Sequence, residues 1–216
     1  ESSRPARAVP LRMAFGWYPQ SSAIVAVSQG VADDLIRTLQ VDPARVHPIP
    51  NSVDPDTIEK LAQQPTSHPW LNDKSVPVIV NVGRLTPQKD HLTLLRAFAL
   101  LRKSTKARLL VVGEGGMRSV LEDSAKQLRV AEDVDWVGTK PNPFAYIARS
   151  DVFVLSSAWE GSPNVILEAL VCRTPVVSTD AEGGGPAELL QNGRFGRLVP
   201  VGNSAKLSSA IKETLA

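Results

Sequence analysis

Two carboxylates, Glu160 and Glu168, frame the run Glu160-Gly161-Ser162-Pro163-Asn164-Val165-Ile166-Leu167-Glu168, and their types and spacing suit chemistry on hydroxyl groups. An ionised carboxylate is an acceptor with two oxygens, able to take paired hydrogen bonds from a vicinal diol. That suits Glu168 to a ribose and Glu160 to the hydroxyls of a second sugar. Pro163 is well suited to a first helical turn, whose free N–H groups and positive dipole end attract phosphate. The competing reading of Glu168 is a charge on a solvated face. Its neighbours Leu167, Ala169 and Leu170 are apolar, however, and a carboxylate among them is costly to bury without a partner. Turn, helix start and paired carboxylates together suit a sugar nucleotide.

Three further loops carry chemically useful residues. In Gly83-Arg84-Leu85-Thr86-Pro87-Gln88-Lys89-Asp90, Gly83 permits close approach. Arg84 and Lys89 place two cations beside a helix start, a guanidinium fork and an ammonium suited to a diphosphate. Two solvated loop charges are the alternative. Gly113-Glu114-Gly115-Gly116 permits tight backbone paths but lacks the Gly-x-Gly-x-x-Gly spacing of a dinucleotide site, and Glu114 has the alternative role of a charge at a helix start. Val137-Gly138-Thr139-Lys140 offers backbone groups to the edge of a base, or is an ordinary glycine turn.

These loops need a scaffold that gathers them. Strands are expected at 78–82, 108–112, 134–137, 152–155 and 175–178, separated by helices at 90–103, 117–129, 143–149, 163–172 and 185–191, with an amphipathic helix near 203–215. Short, continuously apolar runs such as Val152-Phe153-Val154-Leu155 are the pattern of strands covered on both faces. The fold class is therefore α/β, a doubly wound parallel sheet with flanking helices, and its loops converge on the edge where ligands collect. Upstream, Ala23-Ile24-Val25-Ala26-Val27 reads as a strand, Ser28 as an N-cap, and Val31, Leu35, Ile36 and Leu39 as one helical face. Val46 to Pro50 is a short extended piece closed by the turn-forming Asn51-Ser52-Val53-Asp54-Pro55, and residues 63–77 have the composition of a linker. A boundary near residue 70 divides the chain into 1–70, the remnant of a neighbouring domain with its linker, and 71–216. Glu1 in place of Met, followed by a segment with no core of its own, gives the expectation of an excised fragment.

Composition narrows the function. With 216 residues, 43% of them hydrophobic, the chain can build a substantial core. A formal charge of +2 without a basic block disfavours nucleic acid. No apolar stretch approaches the roughly 20 residues of a membrane span. A single cysteine, Cys172, leaves no disulfide framework and points to a reducing compartment, and His47, His68 and His91 form no His-x-x-x-His pair, so no metal is expected.

Gly83-Arg84 with Lys89 five positions on, Gly113-Glu114-Gly115, Val137-Gly138, and Glu160-x7-Glu168 around Ser162-Pro163-Asn164 resemble family 4 of the retaining glycosyltransferases, which have the two-domain GT-B fold. The resemblance extends to Ala26-Val27-Ser28 with Asp34-Leu35, and to Pro50-Asn51-Ser52-Val53-Asp54, which are similar to the end of that family's N-terminal acceptor domain. It implies that residues 71–216 are the C-terminal nucleotide-sugar-binding half, Rossmann-like, with the N-terminal domain largely missing. Arg84 and Lys89 would bind the donor diphosphate, backbone around Val137 and Gly138 the base, Glu168 the ribose, and Glu160 the sugar being moved. Backbone N–H groups of Ser162 to Val165 would complete the phosphate and sugar contacts, with Gly83, Gly113, Glu114 and Gly161 at the donor. The implied donor is a nucleotide-diphosphate sugar, UDP ahead of GDP, used with retention and without a metal or other cofactor. The acceptor would be a glycan or a lipid-linked glycan, and the location cytoplasmic, with peripheral contact at the inner membrane face. Arg4, Arg7 and Arg12 beside Phe15, Trp17 and Tyr18 are candidates for that contact, or else pack on the missing domain. A non-catalytic nucleotide-binding subunit completed by a partner chain is the alternative. A nicotinamide-dependent dehydrogenase shares the alternation but not the glycine spacing.

Overall fold

A computed structural model describes residues 16–73 and 75–216. Arg4, Arg7, Arg12 and Phe15 of the basic and aromatic cluster lie outside the described residues.

After a short 3₁₀ turn, Tyr18–Gln20, the described residues form a small βαβ piece. Strands β1 (Ile24–Ala26) and β2 (Val46–Pro48) pair in parallel, joined through helix α1 (Gln29–Leu39). Ser28 caps α1 as its sequence implies, its hydroxyl accepting from the Val31 N–H at 3.2 Å. Ile24, Ala26, Ala32, Leu39, Val41 and Val46 form a separate apolar cluster, with Leu35 and Ile36 packed against it.

Helix α2 (Pro55–Ala62) occupies a segment expected to be only a turn and its continuation. Asp54 accepts from the Thr57 N–H, and Pro55 at the first helical position gives up an N–H that would have no partner anyway. The open carbonyls at its C-terminal end are met from the other part of the molecule. Asn142 Nδ2 donates to Leu61 O at 2.9 Å and Arg149 Nη1 to Ala62 O at 2.8 Å. The linker-like stretch 63–77 also holds a helical turn, α3 (Pro69–Asn72). Its Leu71 is buried in the same apolar cluster as Val78 and Val80, and His68 beside it hydrogen-bonds Asp135 at 2.9 Å.

Beyond this lie β3 (Val78–Val82), α4 (His91–Arg102), β4 (Arg108–Val112), α5 (Arg118–Gln127), β5 (Val134–Gly138), α6 (Phe144–Ile147), β6 (Val152–Leu155), α7 (Asn164–Val171), β7 (Val176–Thr179), α8 (Gly185–Leu189), β8 (Arg197–Val199) and α9 (Ser204–Leu215). The six strands form one parallel sheet in the order β5-β4-β3-β6-β7-β8, the doubly wound arrangement expected. Strand β8, not foreseen in the sequence, extends it by one edge strand. β7 begins one residue later than expected.

Successive side chains on a strand point to opposite faces, so each apolar run fills two cores at once. Ile79, Leu109, Val111, Val152, Val154 and Val177 meet Leu94, Phe98, Leu121 and Ile211 on one side. Val78, Val80, Leu110, Phe153 and Leu155 meet Ile147, Ile166, Ala169 and Leu190 on the other. Full burial of Phe98 and of Phe153 contributes roughly 1.5–3 kcal/mol each, which anchors both layers.

Candidate functional site

The strand order reverses between β3 and β6, and the loops that leave these two strands open a crevice at the carboxyl edge of the sheet. Three of the expected functional side chains, Arg84, Lys89 and Glu160, come from these loops. After Gly83 the chain turns through a short 3₁₀ segment, Pro87–Lys89, and Asp90 ends it in the left-handed region at φ 42° while capping α4 through Thr93 N–H. From the other side of the crevice, Ser156 and Ser157 follow β6 and the run to Glu160 begins.

The loops are stitched together. Ala158 N–H donates to Gln88 O at 2.8 Å and Gln88 Nε2 to Trp159 O at 2.9 Å. The Ser156 hydroxyl donates to the Lys89 carbonyl at 2.8 Å. Across the crevice Lys89 Nζ reaches Glu160 Oε1 at 2.5 Å, and the Ser157 hydroxyl donates to the same oxygen at 2.7 Å. Both charges are largely withdrawn from water, with side chains 15% and 8% exposed. The sequence put Lys89 toward a diphosphate, and the structure gives its ammonium a carboxylate partner. Beneath them His91, 2% exposed, bonds Asn81 through Nε2. Burial, with the Lys89 charge adding to it, lowers its pKa to about 4, so it stays neutral under the pair at ordinary pH.

Glu160 is also fixed through its backbone. Its N–H donates to Glu182 O at 2.7 Å, and Glu182 N–H returns to Ala158 O at 3.1 Å. The following loop passes so close that a Cβ on Gly183, at φ +96°, would sit 2.5 Å from Glu160 O. Only glycine takes that path without strain. A Cβ on Gly30, at the start of α1, would in turn overlap the Gly183 carbonyl, while Ser28 Oγ donates to that carbonyl at 3.3 Å and Gln29 N–H to Glu188 Oε2 at 2.8 Å. The Glu182 to Gly185 loop is the part of the site that the sequence reading missed. Its signal is three consecutive glycines just after a strand.

Helix α7 begins at Asn164 with Pro163 as its N-cap residue, one position earlier than the first-turn place expected for the proline. No side chain caps this helix start. Asn51 Nδ2, from the segment leaving the small βαβ piece, donates to Asn164 Oδ1 at 2.9 Å and to Ser162 O at 3.3 Å. The Ser162 hydroxyl is buried without a hydrogen-bond partner. Gly161 faces Val27 and Val31, and Val165 packs on the apolar cluster behind the turn. Glu168, one helix face further on, is half-buried, and its carboxylate has no hydrogen bond or ion pair among the described residues. Burial raises its pKa, and its charge in turn helps burial push the Cys172 thiol up to about 11. A half-buried carboxylate without a partner is the atom group that gains most from a hydrogen-bonding ligand.

The remaining expected residues line up along the β3–β4–β5 side. Arg84 is exposed and unpaired among the described residues. Gly113, at φ +146°, has no room for a Cβ because the Gly83 carbonyl occupies that place, and its N–H donates to Gly138 O at 3.0 Å. The tight backbone path expected of this glycine thus brings it against the neighbouring loop. The Glu114 carboxylate meets Arg118 Nη1 at 3.3 Å, while that guanidinium stacks over Trp136 at 5.4 Å. Val137 is half-buried at the end of β5, and Gly138 turns the chain at φ +74° beside Glu114. Among the described residues no group of three or more His, Cys, Asp or Glu side chains converges, and no helix is long and apolar enough to cross a membrane.

Residues 63–216 match the family model of the glycosyl transferases group 1, and residues 2–57 that of Glycosyltransferase Family 4. The chain belongs to the group 1 glycosyltransferase family. It is 33% identical, over 92% of its length, to N-acetylgalactosamine-N,N'-diacetylbacillosaminyl-diphospho-undecaprenol 4-alpha-N-acetylgalactosaminyltransferase of Campylobacter jejuni, and covers 52% of that protein. It is 36% identical over 66% of its length to the uncharacterized glycosyltransferase MJ1059 of Methanocaldococcus jannaschii, covering 35% of it. The crystal structure of Anabaena HepE in complex with UDP-glucose superposes with a TM-score of 0.81 at 26% identity, over 94% of this chain and 57% of HepE. The chain thus spans about half the length of the Campylobacter relative and of HepE. The GT-B resemblance read from the loop residues is borne out.

Proposed function

We propose that this chain supplies the donor half of a retaining glycosyltransferase that moves a sugar from a UDP-sugar to a glycan or lipid-linked acceptor. The observation that carries the reading is the contrast at one crevice between Glu160, locked to Lys89, and Glu168, half-buried and unpartnered on the helix that follows. The Anabaena structure with UDP-glucose supports a uridine donor. The Campylobacter relative carries diphospho-undecaprenol in its name, which supports the lipid-linked class.

In this reading Glu168 takes the ribose hydroxyls, and backbone at Val137 and Gly138 receives the base, with Gly113 and Glu114 behind it. Arg84 and the free N–H groups around Ser162 to Val165 meet the diphosphate, with Lys89 beside them. These groups stabilise charge as it develops on the leaving phosphate, so the residues serve that step without a metal. Glu160 orients the transferred sugar, and the departing phosphate oxygen takes the acceptor's proton as the acceptor hydroxyl bonds to the anomeric carbon from the same face. The upstream acceptor domain closes the far side of the crevice, and the division between donor half and remnant falls near residue 70.

Titration calorimetry with UDP and GDP in the presence of a chelator tests this. UDP is expected to bind, and Arg84→Ala to weaken it about tenfold, the effect of losing one charge-assisted contact. A folded sample that binds neither nucleotide overturns the reading.

A further inference from the structure

Ser156 and Ser157 are adjacent, fully buried, and bond to the two partners of one ion pair. Ser156 holds the Lys89 carbonyl, and Ser157 holds the Glu160 carboxylate. Ser157 is itself anchored, since Thr179 Oγ1 donates to its carbonyl at 2.6 Å. Thr179 ends β7 and Ser157 follows β6, so the hydroxyl stands on the rigid sheet and not on a free loop.

The bonds to Glu160 are unequal. Lys89 Nζ and Ser157 Oγ both end on Oε1, while Oε2 has no hydrogen bond among the described residues. Nor is Oε2 one of the buried polar atoms without a partner, so it keeps access to solvent. Two donors on one oxygen fix the rotation of a carboxylate that one donor alone would leave free to swing.

We propose that Ser157 is a positioning residue that, with Lys89, locks Oε1 of Glu160 so that Oε2 is the atom presented to a hydroxyl of the donor sugar. This rests on the donor-site reading given above. An ammonium alone is a point charge that follows the carboxylate through several rotamers. The serine hydroxyl, set on the sheet, adds the direction. The sugar then meets an oxygen with its lone pairs free and its orientation already fixed, so that little ordering remains on binding. Ser156 performs the matching task for Lys89 by holding its backbone.

Two measurements test the proposal on Ser157→Ala. The first compares UDP with UDP-glucose and UDP-N-acetylglucosamine by calorimetry. Wild type is expected to bind one UDP-sugar more tightly than UDP, and Ser157→Ala to cut that sugar-dependent gain about tenfold while UDP affinity holds. Equal losses for UDP and UDP-sugar would mark a merely structural serine and overturn the proposal, as would an undiminished gain in the variant. A wild type that binds every UDP-sugar no better than UDP also overturns it. The second needs no nucleotide. The ¹⁵N-correlated signal of the Lys89 ammonium is expected to exchange with water at least fivefold faster in Ser157→Ala, with amide protection elsewhere unchanged; an unchanged rate refutes the lock. If wild type binds no nucleotide, the donor reading falls, and this second result still decides whether Ser157 orients the pair.

Discussion

The surroundings of Glu160 and of Glu168 differ in kind, although only seven residues lie between them. Around Glu160 every neighbour is already engaged: Lys89 and Ser157 on Oε1, Glu182 on its backbone N–H, Gly183 against its carbonyl. Around Glu168 the helix offers apolar side chains and Cys172, and burial raises the pKa with nothing to offset it. One carboxylate is organised before any ligand arrives, while the other is left with a desolvation cost that a ligand's hydroxyls would relieve. A binding site can hold both, because rigid placement serves orientation and unmet hydrogen bonding serves affinity.

The largest expected effect comes from breaking the organised side. Lys89→Ala strands the Glu160 charge in a nearly closed place and is expected to cost about 3 kcal/mol of stability in urea unfolding, within the range for a buried pair that loses one partner. A loss below about 1 kcal/mol would show that water screens the pair. Next, Gly183→Ala must relieve both a left-handed φ and a clash with Glu160 O, and about 2 kcal/mol is expected by the same measurement. Tolerance of alanine there would mean that the two loops are not locked together.

The smallest stability effect, and of opposite sign, belongs to Glu168→Gln. A carboxyl whose folded pKa lies above its unfolded value contributes stability below the unfolded value, and loses it as pH rises through the folded one. Unfolding followed against pH should therefore show the variant slightly more stable than wild type at pH 7, with the difference vanishing as pH falls below the ordinary glutamate value of 4.5. UDP affinity at pH 7 should fall in the same variant. A glutamine that destabilises at pH 7, or leaves UDP affinity unaltered, would remove the contrast between the two carboxylates.

Much of this was legible in the sequence, for identifiable reasons. Strands covered on both faces are continuously apolar, so β3, β4 and β6 could be read directly. Strand β8 has three residues, begins with Arg197 and lies at the sheet edge, where that signal fades. Helix α2 was hidden because Asn-Ser-Val-Asp-Pro is turn chemistry and, equally, an N-cap followed by a first-turn proline. Arg84, Lys89, Glu160 and Glu168 stood out by charge and spacing. That Lys89 would grip Glu160 did not, because they are 71 residues apart and meet only where the strand order reverses. Ser156 and Ser157 carry no pattern of their own, and only the fold reveals what two adjacent hydroxyls hold.

Gly30 touches Gly183, and Gly183 touches Glu160, backbone against backbone with no space for a methyl group at either step. Three segments far apart in the chain are thereby bound into a single constraint on heredity and on engineering alike. A chimera that joins the six-stranded unit to a foreign upstream module will preserve the shape of its loops only if that module also brings a residue without a side chain to the start of the helix that links its two paired strands.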